Sequence, residues 1–570
     1  MYTLGIHTGH DSGAALFKDQ ALVAFCKEER MTRIKNDGGR FELQSIDEVL
    51  RIAGISRRDV DTVALSKTRL PLSVYRSTSS PVKDAWRKLR GKNPGRFLAR
   101  EMAARHEYDE AKVVDFARLK SVLGVKETAE IIFTNHHYSH ILGSFRYTDW
   151  PDQALYISCD GSGDAMVYSA YYFDGENLEC LHGDRFRWMD LDQRGGFSVG
   201  LAYSYATEVI GFRPNRHEGK ITGLAAFGKP VAADAIFQRF QTASDGSITS
   251  DFNHPKELRA FIRELLSPLS REDAAASIQQ ASERILENWV KQLLALRPVK
   301  YVGMSGGVFA NVKLNQTVAS IPGIEEVYVF PAMGDEGLPV GNAIDALIRQ
   351  HGLTSIQRDR FATLYYGYNY SGNDLVEAAD DSKVDIRRSE APAKEAAELL
   401  AAGQVGAIFF GGMELGPRAL GARSILASPA KRDVNDSINA RLERTEFMPF
   451  APFVAAEDAA DVFEVDGSTH HACEFMTITT NVKPEWEDVI PAVVHVDNTA
   501  RPQIISREQN WLYYDILKEF KTITGIPCLV NTSFNAHEEP IINTPHEALG
   551  ALYDNRVDFL VCDAGLVIRR

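Results

Sequence analysis

The chain has 570 residues, a formal net charge of −14 and 44% apolar residues. That length suggests roughly three or four units of about 100–200 residues each, with apolar content ample for their cores. The acidic balance argues against general nucleic-acid or membrane-surface binding, and no apolar run approaches the ~18 residues of a spanning helix.

The first residues, Met1 to Ile6, read as a strand and not as a signal peptide. The pattern predicts that strand over 4–7, a tight polar turn over 10–13, a hairpin from 14–17 and 21–27, an amphipathic segment over 45–53 and a strand over 60–66. Residues 67–112 stand apart: Lys83, Arg87, Lys88, Arg90, Lys92, Arg96 and Arg100 alternate with Trp86, Phe97 and Leu98. This is either a solvated helical insertion or a basic lid over an anionic ligand or bulky acceptor. A strand-like run, Ile131-Ile132-Phe133, then leads into Asn135-His136-His137-Tyr138-Ser139-His140.

From 154 a buried strand runs into Asp160-Gly161-Ser162-Gly163-Asp164, followed by a partner strand over 166–174. Two strand–acidic-turn–hairpin units are what a duplicated, nucleotide-clasping α/β fold shows. Residues 271–295 predict a helix capped by Ser270, with Ile278, Ala281, Ile285, Trp289 and Leu293 as its core stripe. Strands over 301–304 and 327–330 enter the turns Ser305–Asn311 and Gly334–Gly337, and a helix over 338–350 ends this half. Residues 351–365 read as a linker, with the domain boundary near 355. Beyond it lie a strand at 405–410, the segment Gly416-Pro417-Arg418-Ala419-Leu420-Gly421-Ala422-Arg423-Ser424, a strand at 526–530 with Asn531-Thr532-Ser533-Phe534-Asn535, a helix at 545–553 and a strand at 557–562. The six cysteines form no CxxC pair, which suggests neither a zinc ribbon nor a disulfide framework and makes a reducing cytoplasm the simplest location.

Four strand-to-turn junctions, His10–Gly13, Asp160–Asp164, Ser305–Asn311 and Gly334–Gly337, end in polar or glycine-rich turns. In an α/β sheet such turns gather at the carboxyl ends of strands, where ligands bind. His136 and His140 are four apart and share a helix face, so Asp160 and Asp335 complete a metal set suited to Fe²⁺, Mn²⁺ or Zn²⁺. The glutamate of an HExxH protease is missing, which points to a metal that holds a ligand. In the segment 217–228, Lys220 can meet a phosphate and Glu218 an acceptor; a structural loop is an equal reading. The second half holds an anion site: Arg418 and Arg423 flank a glycine-rich turn, Arg441 and Arg444 precede Pro449-Phe450-Ala451-Pro452, and Arg501-Pro502-Gln503 follows His495. Asn531, Ser533 and Asn535 suit a small planar group such as an amide.

Taken in order, His10-Asp11, the 135–140 segment, Asp160-Gly161-Ser162-Gly163, Glu218-Gly219-Lys220 with Gly223-Leu224-Ala225, Gly306-Gly307-Val308, the 416–421 segment, Pro449–Pro452, Arg501–Gln503 and Asn531–Asn535 resemble the O-carbamoyltransferases of antibiotic, toxin and nodulation-factor biosynthesis. The resemblance covers essentially the whole chain. It implies an α/β fold: a duplicated actin/Hsp70/sugar-kinase-like domain over 1–355, of the threonylcarbamoyl-tRNA branch, then a smaller α/β carbamoyl-adenylate-forming domain over 356–570.

The implied activity is ATP-dependent O-carbamoylation. Carbamoyl phosphate is cleaved in the C-terminal domain, the carbamate attacks ATP to give carbamoyl-adenylate, and a hydroxyl of a natural product or its sugar takes the carbamoyl group at the metal site. The implied cofactors are ATP with Mg²⁺, carbamoyl phosphate as donor and a divalent metal, Fe²⁺ or similar. Carried over by position, His136, His140, Asp160 and Asp335 resemble the metal and nucleotide ligands; Asp11, Gly161, Gly163, Glu218, Gly306, Gly307 and Asn311 are expected to bind substrate or nucleotide. Arg418, Arg501 and Asn531 resemble the carbamoyl phosphate and ATP site, joined by Arg423 and Ser533. Relatives carry a lysine and a Trp-Arg pair before Pro-Phe-Ala-Pro; here Arg444 supplies the charge. His10 is the expected base, and His10, Arg418 and Lys220 are the expected catalytic set. Alternatives are a tRNA-modifying threonylcarbamoyl transferase, disfavoured by the acidic chain, and a nucleotide-binding regulator. The expected partner is a small-molecule hydroxyl acceptor, with neither membrane nor nucleic acid; the oligomeric state, a homodimer included, is left open.

Overall fold

The computed structural model describes residues 1–66, 70–76, 82, 85, 89, 109–164, 166–183, 198–444 and 449–570. Its first half contains two sheets of the same construction. In the first, β1 (Tyr2–His7), β2 (Gly13–Lys18) and β3 (Ala21–Lys27) form an antiparallel meander, and β4 (Thr62–Ser66) and β5 (Glu130–Thr134) add parallel to β1, giving the order β3-β2-β1-β4-β5. In the second, β6 (Ala154–Gly163), β7 (Met166–Phe173) and β8 (Leu178–His182) repeat the meander. A small hairpin, β9 (Phe240–Thr242) and β10 (Ile248–Ser250), intervenes before β11 (Tyr301–Ser305) and β12 (Glu326–Val329), which add parallel to β6 in the order β12-β11-β6-β7-β8. This doubled topology is that of the actin/Hsp70/sugar-kinase class, and the duplication expected from two acidic turns is real.

The copies are joined by exchanged helices. The helix His136–Arg146 leaves β5 of the first sheet yet packs on β6 and β11 of the second. The helix Leu338–His351 leaves the second sheet and packs on β1 and β4 of the first. Where the two helices cross, Ser139 Oγ donates to Asn342 Oδ1, and a Cβ added at Gly341 would lie 1.9 Å from Ser139 O. Only glycine permits that separation. The helix Arg271–Leu296 starts at its Ser270 cap, whose side chain accepts from Asp273 N, and buries Trp289 completely.

The second half is one eight-stranded sheet: β13 (Val384–Arg388), β14 (Gly406–Phe409), β15 (Arg423–Ala427), β16 (Ala451–Ala455), β19 (Gln503–Ile505), β20 (Cys528–Ser533), β21 (Phe559–Cys562) and β22 (Gly565–Arg569), in the order β13-β22-β21-β14-β15-β20-β16-β19. A separate two-stranded ribbon pairs β17 (Thr480–Asn481) with β18 (Thr499–Ala500). The helices Pro392–Ala401 and Trp511–Thr524 pack together and onto this sheet, with Tyr513 stacked 3.8 Å from Phe453.

Contacts between the halves are extensive. Residues 351–365, read as a linker, are pinned down: Ile356, Phe361 and Leu364 are buried, and Phe361 stacks 3.6 Å from Tyr147 in a cluster that also holds Phe330, Leu415 and Phe475. Edge groups of the first half are covered, since Val327 N donates to Ser468 O and Phe25 N to Tyr366 O. The basic residues Lys83, Arg87, Lys88, Arg90, Lys92, Arg96 and Arg100, with Trp86, Phe97 and Leu98, lie outside the described residues. Among the described residues no helix is long and apolar enough to cross a membrane.

Gly341→Val is expected to force the crossed helices apart and to cost about 1–3 kcal/mol, as overpacking does. Chemical denaturation followed by tryptophan fluorescence measures this, and an unchanged midpoint contradicts the close crossing.

Candidate metal and transfer site

The site begins at a helix start. Asn135 ends β5 in an extended conformation, and its side chain accepts from Tyr138 N at 3.0 Å, capping the helix His136–Arg146. Asp164 accepts from His136 N at 2.7 Å, a second hold on the same turn. Helical spacing puts His136 and His140 on one face with ring centroids 4.9 Å apart. Asp160 arrives from β6 and Asp335 from the one-turn segment Asp335–Gly337 beyond β12. His136 Nε2 lies 3.1 Å from Asp160 and 3.4 Å from Asp335; His140 Nε2 lies 3.4 and 3.6 Å from the same carboxylates. A Cβ at Gly163 would lie 2.1 Å from His136 Cδ2, so only glycine leaves room for that ring.

The electrostatics follow from burial. Both imidazoles are buried, and burial alone disfavours a charged ring. At His140 the two carboxylates override it and push the ring up to about 9, whereas at His136 burial prevails and the ring is lowered. Desolvation and mutual repulsion press Asp160 upward, but the histidines hold it well below the carboxylate range; Asp335, like Asp160 only partly exposed, is held low by His136, His140 and His7. Two ionised carboxylates with two imidazoles, all four ligand atoms within 4.8 Å of one another, fit a divalent cation. His140 Nε2 makes no well-formed hydrogen bond although it faces both carboxylates, as a ligand atom aimed at an ion does. The adjacent His137 points away, bonded through Nδ1 to Ser158 Oγ at 2.7 Å and pushed down to about 3 by burial.

Beside this cluster His10 is half exposed. Its Nδ1 lies 2.8 Å from Asp11 Oδ2, and that hydrogen bond pushes the ring up to about 9. Asp11 in turn meets Lys27 at 3.5 Å and accepts from Asn36 at 3.0 Å. The Gly161 backbone N–H donates to Asp160 at 2.6 Å. Gly306 and Gly307 lead into the turn Gly307–Ala310, and Asn311 caps the next helix, Val312–Ala319, while donating to Gln279 at 2.8 Å. Glu218 is held locally, accepting from Asn215 N and Ser204 Oγ. Lys220 is buried with its ammonium 5.9 Å from the Phe212 ring.

The arginines of the second half divide into two groups. Arg418 reaches the first half, donating to Ala310 O at 3.2 Å. Burial and the neighbouring Arg501 press its guanidinium well below the ordinary range. An arginine does not shed its proton in proteins, so the pair carries positive charge that an anion relieves. Arg423 differs from its expected role. It is fully buried, stacks 3.8 Å over Phe409 and spends its donors on the carbonyls of Phe410, Gly411, Ala422 and Asn543, which leaves it a structural strut. Arg444 is likewise engaged, donating to Thr532 Oγ1, to Ser533 O and Oγ and to Asn535, and so it shapes the 531–535 segment. Asn531 is buried, donating to Ala419 O and Gln503 Oε1, while its Oδ1 has no hydrogen-bond partner.

Sequence reasoning missed Glu414 and His7. Glu414 Oε1 accepts from the backbone N–H groups of Leu420, Ala422 and Arg423, folding the loop that presents Arg418. Its position two residues before Gly416 was the only available signal.

Residues 2–344 match the family described as Carbamoyltransferase N-terminus, and residues 397–569 match Carbamoyltransferase C-terminus. The chain belongs to the carbamoyltransferase family and is a carbamoyltransferase enzyme. Among relatives, it is 29% identical to an uncharacterised protein of Methanocaldococcus jannaschii over 98% of both chains. It is 31% identical to nodulation protein NolNO of Sinorhizobium fredii, covering 98% of this chain and 79% of that one. It is 34% identical to nodulation protein U of Azorhizobium caulinodans, covering 94% and 93%.

His140→Ala is expected to weaken Mn²⁺ or Fe²⁺ binding at least about 100-fold, since it removes a ligand and leaves two carboxylates facing each other. Calorimetric titration of the purified protein measures this; equal affinity in the variant removes His140 from the ligand set.

Proposed function

We propose that the enzyme moves a carbamoyl group from carbamoyl phosphate, through carbamoyl-adenylate, to a hydroxyl of a small-molecule natural product or its sugar, consuming ATP with Mg²⁺. The observation that carries this reading is the juncture at Ala310. There the arginine expected to handle the activated donor touches the glycine turn expected to hold the nucleotide, beside the His/Asp cluster.

On this reading residues 356–570 form the adenylate and residues 1–355 use it. Arg418 and Arg501 hold the phosphate of carbamoyl phosphate, and the Asn531 Oδ1 acceptor faces the carbamoyl amide. Water cleaves carbamoyl phosphate into phosphate and carbamate; a carbamate oxygen then attacks the α-phosphorus of ATP, and the bond to pyrophosphate breaks. Carbamate is short-lived in water, so enclosure between the halves preserves it. His136, His140, Asp160 and Asp335 would hold a divalent ion, which when bound would supply positive charge toward nucleotide phosphate oxygens and the reacting centre. His10, oriented by Asp11, takes the proton of the acceptor hydroxyl as the hydroxyl oxygen bonds to the carbamoyl carbon, and AMP departs with its phosphate oxygen.

Incubation with carbamoyl phosphate, ATP and divalent metal is expected to release phosphate and pyrophosphate. Arg418→Ala is expected to abolish the pyrophosphate while the protein stays folded; pyrophosphate release that survives the substitution refutes this placement of the donor site. The transfer step has its own signature. His10 acts as a base only when unprotonated, and its Asp11 bond pushes it up to about 9. Transfer measured as acceptor-dependent AMP release is therefore expected to climb about tenfold per pH unit below 9 and then level off. His10→Gln is expected to be slow and flat across that range; a parental profile in this variant excludes His10 as the base.

A further inference from the structure

His7 ends β1, is completely buried, and belongs to neither the ligand set nor the base. Its surroundings form an ordered chain of donors and acceptors. Ser139 Oγ donates to Asn342 Oδ1. The Asn342 amide donates to Ile6 O at 2.9 Å and to Ser66 Oγ at 3.0 Å. The Ser66 hydroxyl hydrogen then remains for His7 Nδ1 at 3.2 Å. With Nδ1 accepting, the ring proton sits on Nε2, which lies 3.1 Å from His10 O and 3.6 Å from Asp335 Oδ2. The tautomer follows from the network of partners. The other oxygen of Asp335, Oδ1, is the one facing His136 and His140.

We propose that His7 is a positioning residue that ties the transfer loop to the metal site, its Nε2–H donated to the His10 carbonyl while the same ring edge faces the outer oxygen of the metal-facing Asp335. The inference rests on the metal reading of the His/Asp cluster. Its chemistry is the outer-shell restraint that fixes a carboxylate ligand's orientation. It also gives the base and the ligand set a common anchor: Asp11 sets the His10 side chain, and His7 sets the His10 backbone. The helix crossing is part of the same chain, since Ser139 lies on the helix that carries His136 and His140.

The test is Mn²⁺ binding to the full-length protein, by calorimetry and by the Mn²⁺ EPR line shape. The parent is expected to bind. His7→Phe keeps an aromatic ring of similar bulk but no polar atom, and is expected to weaken binding about 10–100-fold and alter the EPR spectrum. His7→Gln restores a donor and an acceptor and is expected to recover most of the affinity and the parental spectrum, which a purely packing role for the ring would not produce. Ser66→Ala removes only the hydroxyl that orients the ring and is expected to cost about fivefold, so the test stands even where His7→Phe does not fold. Parental affinity in His7→Gln together with parental affinity in Ser66→Ala and in a folded His7→Phe overturns the proposal, as does a His7→Gln no better than His7→Phe. A parent that binds no Mn²⁺ refutes the metal reading itself, an outcome distinct from equal binding across the series.

Discussion

Two carboxylates that stay ionised while facing the same small space are the constraint around which this structure is built. Asp160 and Asp335 repel one another, and burial makes the repulsion worse. The fold can hold them together only by supplying compensating charge from His136 and His140 or from a cation. The other demands on the site follow: a capped helix start to aim the imidazoles, a glycine at 163 to admit the His136 ring, and a rigid crossing of helices to keep the two sheets in register.

Duplication answers that demand economically. The second sheet delivers both carboxylates, Asp160 from β6 and Asp335 from the turn beyond β12, and the exchanged helix His136–Arg146 places the histidines of the first copy against them. The His/Asp cluster therefore sits on the relation between the copies and belongs to neither alone. The crossing lies close to this cluster in sequence as well, since Ser139 adjoins His140 and Gly341 lies six residues past Asp335.

The second half is attached by a shared apolar cluster, by covered edges and by Arg418. Its loops are braced by polar side chains: Glu414 gathers three backbone N–H groups, Arg423 gathers four carbonyls, and Arg444 braces the 531–535 segment. Backbone groups gathered in this way favour one loop conformation. Arg418 differs in that burial and the neighbouring Arg501 press on its guanidinium while it reaches Ala310 of the first half.

Features governed by neighbours in the chain were legible. The i,i+4 spacing of His136 and His140, the Asn135 junction, the Ser270 cap and the strand-ending turns at Asp160 and Asp335 are local patterns, and local geometry imposes them. The ordered motifs likewise point to the carbamoyltransferases, the family to which the chain belongs. Burial was not legible: Arg418 and Arg423 look alike in sequence, yet one reaches across to Ala310 of the first half and the other is sealed among carbonyls. Long-range partnership was not legible either, because His7 meets Ser66 across 59 residues and Ser66 meets Asn342 across 276. The sequence by itself determined which residues stand at helix starts and strand ends, since backbone hydrogen bonding and side-chain periodicity act over a few positions. Only the tertiary structure decided which of those side chains share a charge and which merely hold a loop, because packing and desolvation depend on what the whole chain brings to the same place.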